Sequence, residues 1–180
     1  MKNNPRNPAV LLAAASKVAA ICMPSGIDVM LVGGLAAQHY GSPLLTGDLD
    51  LALDKMPMIA GKVLSFGGIR TVIDGVPTDL IVRTDKWRRL YDAAQNSSRK
   101  VSTLPVPIVP VGFLIAMKMV AGRDKDHLSI EHLLGHDTRK SHKYHEEARV
   151  VVAKYLGEFA LDELDRLVEE ARWKDSRGML

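Results

Sequence analysis

The sequence predicts a mixed α/β fold of the α+β kind: a small mixed β-sheet with flanking helices and a helical C-terminal region. Three observations carry this expectation. Residues 48–53 alternate strictly, with Asp48, Asp50 and Ala52 on one side and Leu49, Leu51 and Leu53 on the other, the pattern of a half-buried strand. Residues 69–73 and 76–82 are strand-like runs on either side of Asp74-Gly75, a favoured two-residue hairpin turn. From Gly112 onward the chain changes to helical patterns with short polar joints. The expected organisation is an α/β core over 1–110 and a helical extension over 111–180 packed on it as a single structural unit.

The elements follow in order. Val10, Leu11, Ala14, Val18, Ile21 and Cys22 fall on one helical face, so the chain opens with an amphipathic helix. Lys2 and Arg6 before an apolar stretch also resemble a short leader, but Lys17 interrupts the run and the helix reading is preferred. Pro24-Ser25-Gly26 is a turn and 27–32 a short strand. Gly33-Gly34 ends that strand, and 35–40 reads as a helix closed by Gly41-Ser42-Pro43. A short helix is expected over 58–64, ended by Gly67-Gly68, then the hairpin, then a helix over 86–94. A strand at 106–109 is expected to close the sheet, and helices follow near 112–121, 125–135, 141–156 and 159–173. In the last, Leu161, Leu164, Val168 and Ala171 form one apolar stripe.

Composition narrows the function classes. With 180 residues, 47% hydrophobic and 25% charged, the chain can bury a core without disulfides or a structural metal. The single cysteine, Cys22, excludes a disulfide framework and thiolate zinc sites, and points to a reducing, cytoplasmic setting. A net charge of +3 is too mild to name nucleic acid as a partner by itself. No uninterrupted apolar run reaches the ~18 residues of a membrane span, so no membrane partner is expected.

The chemistry concentrates in three places. Asp48 and Asp50 stand two apart on one strand, so their side chains leave the same face about 7 Å apart along the backbone. Carboxylates held so close repel unless a cation lies between them, and hard divalent ions such as Mg²⁺ take carboxylate oxygens together with phosphate oxygens. Asp79, flanked by Leu80, Ile81 and Val82, is costly to bury unless paired. Beside the Asp48/Asp50 strand it would complete a three-carboxylate cradle for two metal ions. Gly33 and Gly34 sit where a strand feeds a helix, so backbone N–H groups can approach a phosphate there. The pattern is neither the dinucleotide-binding fingerprint nor a P-loop.

Val32-Gly33-Gly34, then Thr46-Gly47-Asp48-Leu49-Asp50-Leu51, then Asp79, resembles the signature of the DNA polymerase β-like nucleotidyltransferase superfamily. The segment from Leu31 to Pro43 followed by Thr-x-Asp-x-Asp is similar to the AbiEii-type toxins and related small bacterial nucleotidyltransferase-like proteins, and Lys118 to Asp126 resembles that group's Lys…Lys-Asp segment. The resemblance implies a nucleotidyltransferase fold and a Mg²⁺-dependent enzyme that uses a nucleoside triphosphate. Asp48 and Asp50 would bind metal, Asp79 would bind metal and help activate the acceptor hydroxyl, and Gly33, Gly34, Thr46 and Lys118 would hold the nucleotide. The acceptor would be RNA, a protein hydroxyl or a small molecule, and a toxin-like setting implies an antitoxin protein as partner. Two departures stand out: Leu44-Leu45 where relatives often carry Arg, and Ser129 where they often carry Asp. These favour the alternative of a catalytically weak or inactive nucleotide- or partner-binding module.

Other features read more simply. Lys118 lies in a helix apolar nearly all round, so it either snorkels outward or meets an anion. His132 and His136 are four apart, with His127, His142 and His145 near, and His136-Asp137 is a dipeptide found in metal-dependent phosphohydrolases, with no second matching segment. Solvated tail histidines are the expectation. Arg83, Lys86, Arg88, Arg89, Arg99 and Lys100, with Trp87 and Tyr91 interleaved, read first as an amphipathic helix packed through Trp87, Leu90 and Tyr91, and second as an RNA-binding surface.

Overall fold

The structure, a computed structural model, describes residues 7–140 and 143–180. Lys2, Arg6 and His142 lie outside the described residues. By its internal contacts the chain forms two compact units. One takes the segment ending at Ala36 together with Leu45–Pro110, and the other takes Ala37–Leu44 together with Val111–Leu180.

The first unit is built on a five-stranded mixed sheet with flanking helices, as the alternation and hairpin signals predict. Strands β1 (Val29–Leu31), β2 (Leu49–Leu53), β3 (Lys62–Val63), β4 (Ile69–Ile73) and β5 (Val76–Ile81) lie in the order β1-β2-β5-β4-β3. Only β2 and β5 run parallel; the other neighbours are antiparallel. The β4–β5 turn places Asp74 at φ 50° and Gly75 at φ 82°, the left-handed pair that a two-residue hairpin demands.

Helix α1 (Pro8–Cys22) packs on this sheet. Asn7 caps it by accepting from the Ala9 N–H at 3.0 Å, and Pro8 fits a first-turn position whose N–H would lack a partner anyway. Leu11, Ala14, Ala15, Val18 and Cys22 are buried, whereas Ile21, expected on the same face, is exposed. Lys17 reaches Asp74 and ties the helix to the hairpin turn. Averaged over Pro8–Ser25, mean hydropathy is 1.5, enough by length and composition to cross a membrane, because one lysine scarcely lowers the mean. A core helix shares that property, and here the apolar stripe of α1 is covered by the sheet.

Two expected elements differ. Residues 58–64 form no helix: Met58 is fully exposed, so a helix there would have no face to bury. Instead β3 pairs with β4, and Gly61 passes so close that a Cβ would sit 2.6 Å from the Arg70 carbonyl oxygen. Residues 106–109 form no strand. Ile108 makes single bridges to Leu31 and Arg99. The prolines at 105, 107 and 110 cannot donate to a ladder, which limits the pairing to that one residue.

Helix α2 (Gly33–His39) begins at the glycines themselves rather than after them. Helix α3 (Arg88–Asn96) contacts β2 and buries Leu90 and Ala94. In the second unit, α4 (Val111–Ala121) packs on α5 (Asp124–Lys140) and α6 (Tyr144–Tyr155), and α7 (Glu158–Asp175) packs on α5 and α6. Gly112 permits the α4–α6 approach, since a Cβ would lie 2.6 Å from the Glu147 carbonyl oxygen. On α7 the buried residues are Leu164, Leu167 and Ala171, so Leu167 replaces Val168 in the expected stripe.

Leu51 is fully buried in the parallel pair, whereas Val63 on the edge strand is 77% exposed. Leu51→Ala is expected to cost about 2–5 kcal/mol in urea unfolding, and Val63→Ala less than about 0.5 kcal/mol. Equal losses would misplace the core.

Candidate active site

The β2–β5 register sets Asp50 opposite Asp79, with Leu49 opposite Thr78 and Leu51 opposite Leu80. Residues directly opposite share a face. The row continues across the sheet, because Asp79 stands opposite Arg70 on β4, and Arg70 opposite Lys62 on β3. One face of the sheet therefore carries Asp50, Asp79, Arg70 and Lys62 in line, while Leu49, Leu51, Leu80 and Ile69 on the other are buried. Of the three aspartates named from the sequence, Asp50 and Asp79 share this face, and Asp48, one residue before β2, lies near enough for its charge to act on Arg70.

The Gly-Gly turn joins them. Gly33 has φ 68°, and a Cβ there would lie 1.9 Å from Asp50 Oδ2. No other residue satisfies both the left-handed backbone and that approach. A Cβ on Gly34 would meet the Thr46 side chain at 2.7 Å. Thr46 Oγ1 in turn donates to Asp48 Oδ1. Helix α2 has only seven residues, so its dipole adds little at this end. What the glycines provide here is bare backbone pressed against Asp50 and Thr46.

Arg70 is the residue that the sequence reading missed. Its Nε and Nη2 donate to Oδ1 and Oδ2 of Asp79, both at 2.6 Å, in a parallel fork. The Asp79 side chain is only 9% exposed, so this cation answers the cost of burying it. The hydrogen bond to Asp79, then the Asp79 charge, raises the Arg70 guanidinium above its ordinary value, with Asp48 and Asp50 adding to the pull. A raised cationic group stabilises the fold below its ordinary value and loses that contribution only as pH climbs through the folded value, so the guanidinium stays charged at any neutral pH. The signal was present in the hairpin: counting outward from Asp74-Gly75 puts residue 70 opposite residue 79.

The three-carboxylate cradle expected from the sequence is not formed among the described residues. Among the described residues, no group of three or more His, Cys, Asp or Glu side chains is arranged to hold a metal ion. At Asp79, both carboxylate oxygens are engaged by Arg70 instead. By donor chemistry Asp48 and Asp50 fit a hard divalent cation; Asp79 fits one only by exchanging Arg70.

Lys118 lies on α4 in the second unit and does not snorkel. It is 7% exposed and meets Asp126 Oδ1 at 3.5 Å, and Asp126 also accepts from Arg123 Nε at 2.6 Å. Ser129 is buried, and the Leu44 carbonyl accepts from the Gln38 side chain. Two of the described tail histidines, His136 and His145, make side-chain contacts rather than standing free in solvent. His136 lies against Gly41, His145 Nδ1 is 2.8 Å from Asp137 Oδ2, and the His39 and Tyr40 rings meet edge to face. In the basic stretch Leu90 is buried, Arg83 pairs with Asp85 and lies over Phe66 and Tyr91, and Arg88 pairs with Asp92.

Neither a protein-family model nor a curated protein sequence matches this chain. A solved structure described as an antigenic nucleotidyltransferase-like protein from Paracoccidioides brasiliensis aligns with 88% of this chain and 92% of its own, at 16% identity and a TM-score of 0.46. At that score the likeness bears on neither activity nor site residues.

Gly26 and Gly33 share a positive φ, of 59° and 68°, but a Cβ on Gly26 would meet nothing within 4 Å. Gly26→Ala therefore measures backbone strain alone, about 1 kcal/mol. Gly33→Ala is expected to cost clearly more in chemical denaturation, because the Asp50 carboxylate must also move. Equal costs would mean that Gly33 and Asp50 are not in contact.

Proposed function

We propose that this chain is a Mg²⁺-dependent nucleotidyltransferase, moving a nucleoside monophosphate from a nucleoside triphosphate to a hydroxyl or phosphate acceptor. The observation that supports it most is the Asp50–Asp79 register with the Gly33 backbone against Asp50. It sets two carboxylates side by side on one sheet face, with the first turn of a helix, whose N–H groups lack intrahelical partners, against Asp50. Thr46, against that turn's second glycine, holds Asp48.

In the proposed reaction the acceptor oxygen attacks the α-phosphorus, the bond from that phosphorus to the bridging oxygen breaks, and pyrophosphate leaves. Asp48 and Asp50 would hold divalent metal, which when bound supplies charge neutralisation for the transferring phosphate. The Gly33 and Gly34 N–H groups would orient phosphate oxygens. Thr46 fixes the Asp48 carboxylate by donating to Oδ1. Asp79 would take the proton of an acceptor hydroxyl at a carboxylate oxygen, once that oxygen is released from Arg70. Lys118 is buried beside Asp126, and a role for it toward the nucleotide rests on the resemblance alone. The choice among RNA, protein and small-molecule acceptors, an antitoxin partner, a second metal ion and a cytoplasmic setting rest on the resemblance and the composition.

A second reading, a weak or inactive nucleotide-binding module, is favoured by one observation: the Arg70 fork occupies both oxygens of Asp79.

Incubation with Mg²⁺ and each of the four nucleoside triphosphates, with pyrophosphate release as the readout, separates the two. The enzyme reading expects release that Asp48→Asn lowers by at least on the order of 100-fold, the scale of losing a preorganised charge-stabilising group. Thermal stability of the metal-free Asp48→Asn protein should be unchanged or higher, because one of several neighbouring negative charges is removed. Triphosphate binding without release supports the module. Neither binding nor release removes both.

A further inference from the structure

The row that gathers the aspartates also carries two cations, and one of them is committed to the same acid that the proposed chemistry needs. Arg70 reaches Asp79 from the neighbouring antiparallel strand, directly opposite in register, and grips both oxygens. The guanidinium is half exposed while the carboxylate is buried, with side-chain exposures of 56% and 9%. The arginine can therefore swing toward solvent, whereas the aspartate cannot follow it. Lys62, opposite Arg70 on the two-residue edge strand, sets a like charge beside it. Charge-assisted forks of this kind are short and strong, so an oxygen of Asp79 becomes a ligand only by losing one.

We propose that Arg70 is a built-in competitor for divalent cation at this site: it neutralises Asp79 until a metal ion displaces it, so metal binding and release of the Arg70 fork are one coupled event. The proposal rests on the reading of Asp48 and Asp50 as metal ligands and deepens it. Arg70 acts as a positioning residue that sets how tightly the third acid can be recruited. Coupling of this kind subtracts the strength of the fork from the metal affinity, and removal of the fork returns it.

The test uses Mn²⁺ as the probe, with free ion counted by electron paramagnetic resonance, on the wild-type chain and on Arg70→Met, Arg70→Lys, Asp48→Asn and Arg70→Met/Asp79→Asn. Arg70→Met keeps the apolar stem and removes the fork. It should bind Mn²⁺ on the order of tenfold more tightly than wild type, and the double variant should lose that gain. Arg70→Lys, which retains a cation without the fork, should show a smaller gain and covers the case in which the methionine variant fails to fold. A second readout is the melting temperature. Arg70→Met leaves Asp79 without its counter-charge, so the metal-free protein should melt lower than wild type and recover more on addition of Mn²⁺. A residue that only braces the hairpin would lose stability without that larger recovery. Unchanged Mn²⁺ affinity in both Arg70 variants, with binding still abolished by Asp48→Asn, overturns the competition and leaves the metal site standing. Mn²⁺ binding that is absent, or indifferent to Asp48→Asn, overturns the metal site and the competition with it.

Discussion

A parallel strand pair decides which side chains stand abreast, and in this protein the β2–β5 pair stands Asp50 beside Asp79. The polar face depends on that register. A slip of one residue would bring Leu80 or Thr78 beside Asp50 and turn Asp79 toward the apolar face. The leucines of the buried face hold the register in place, because Leu49, Leu51 and Leu80 would have to leave the core for it to change. Hydrophobic burial on one side of the sheet thus fixes the spacing of charges on the other.

Two local features complete the site. Gly33 lets the backbone press on the Asp50 carboxylate at a φ that other residues rarely adopt, and Gly34, lacking a Cβ, leaves room for the side chain of Thr46, which holds Asp48. The charge balance is asymmetric. Arg70 offsets Asp79 directly, whereas Asp48 and Asp50 act on Arg70 only through their field. Because the Arg70 fork holds both oxygens of Asp79 and the guanidinium also feels the Asp48 and Asp50 charges, Arg70 is treated as part of the site.

Much of this was legible in the sequence because the signals were local. The strict alternation over 48–53, the Asp74-Gly75 turn and the apolar stripe of α1 each specify an element without knowledge of its neighbours. The nearness of Gly33, Asp50 and Asp79 was legible through their order along the chain. Long-range information was not. Residues 58–64 have an apolar content that suits a short helix, but nothing lies against Met58, and pairing with β4 decides the outcome. The run at 106–109 looks β-prone until its flanking prolines are counted as missing donors. Arg70 was passed over because a lone arginine in a strand is unremarkable until the hairpin register sets it opposite Asp79. Lys118 illustrates the same limit: its apolar surroundings were plain, but its partner Asp126 lies on the next helix.

The central claim is that Asp48 and Asp50 form the cation-binding edge of a nucleotide site beside the Gly33-Gly34 turn. Crystals grown with Mn²⁺ and a non-hydrolysable triphosphate analogue test it most directly, through the anomalous scattering of the ion. The account predicts a peak at about 2.0–2.3 Å from carboxylate oxygens of both Asp48 and Asp50, with triphosphate oxygens completing the shell and the phosphates against the Gly33-Gly34 backbone. An ion bound elsewhere, or a triphosphate seated away from that turn with Asp48 and Asp50 uninvolved, would contradict it.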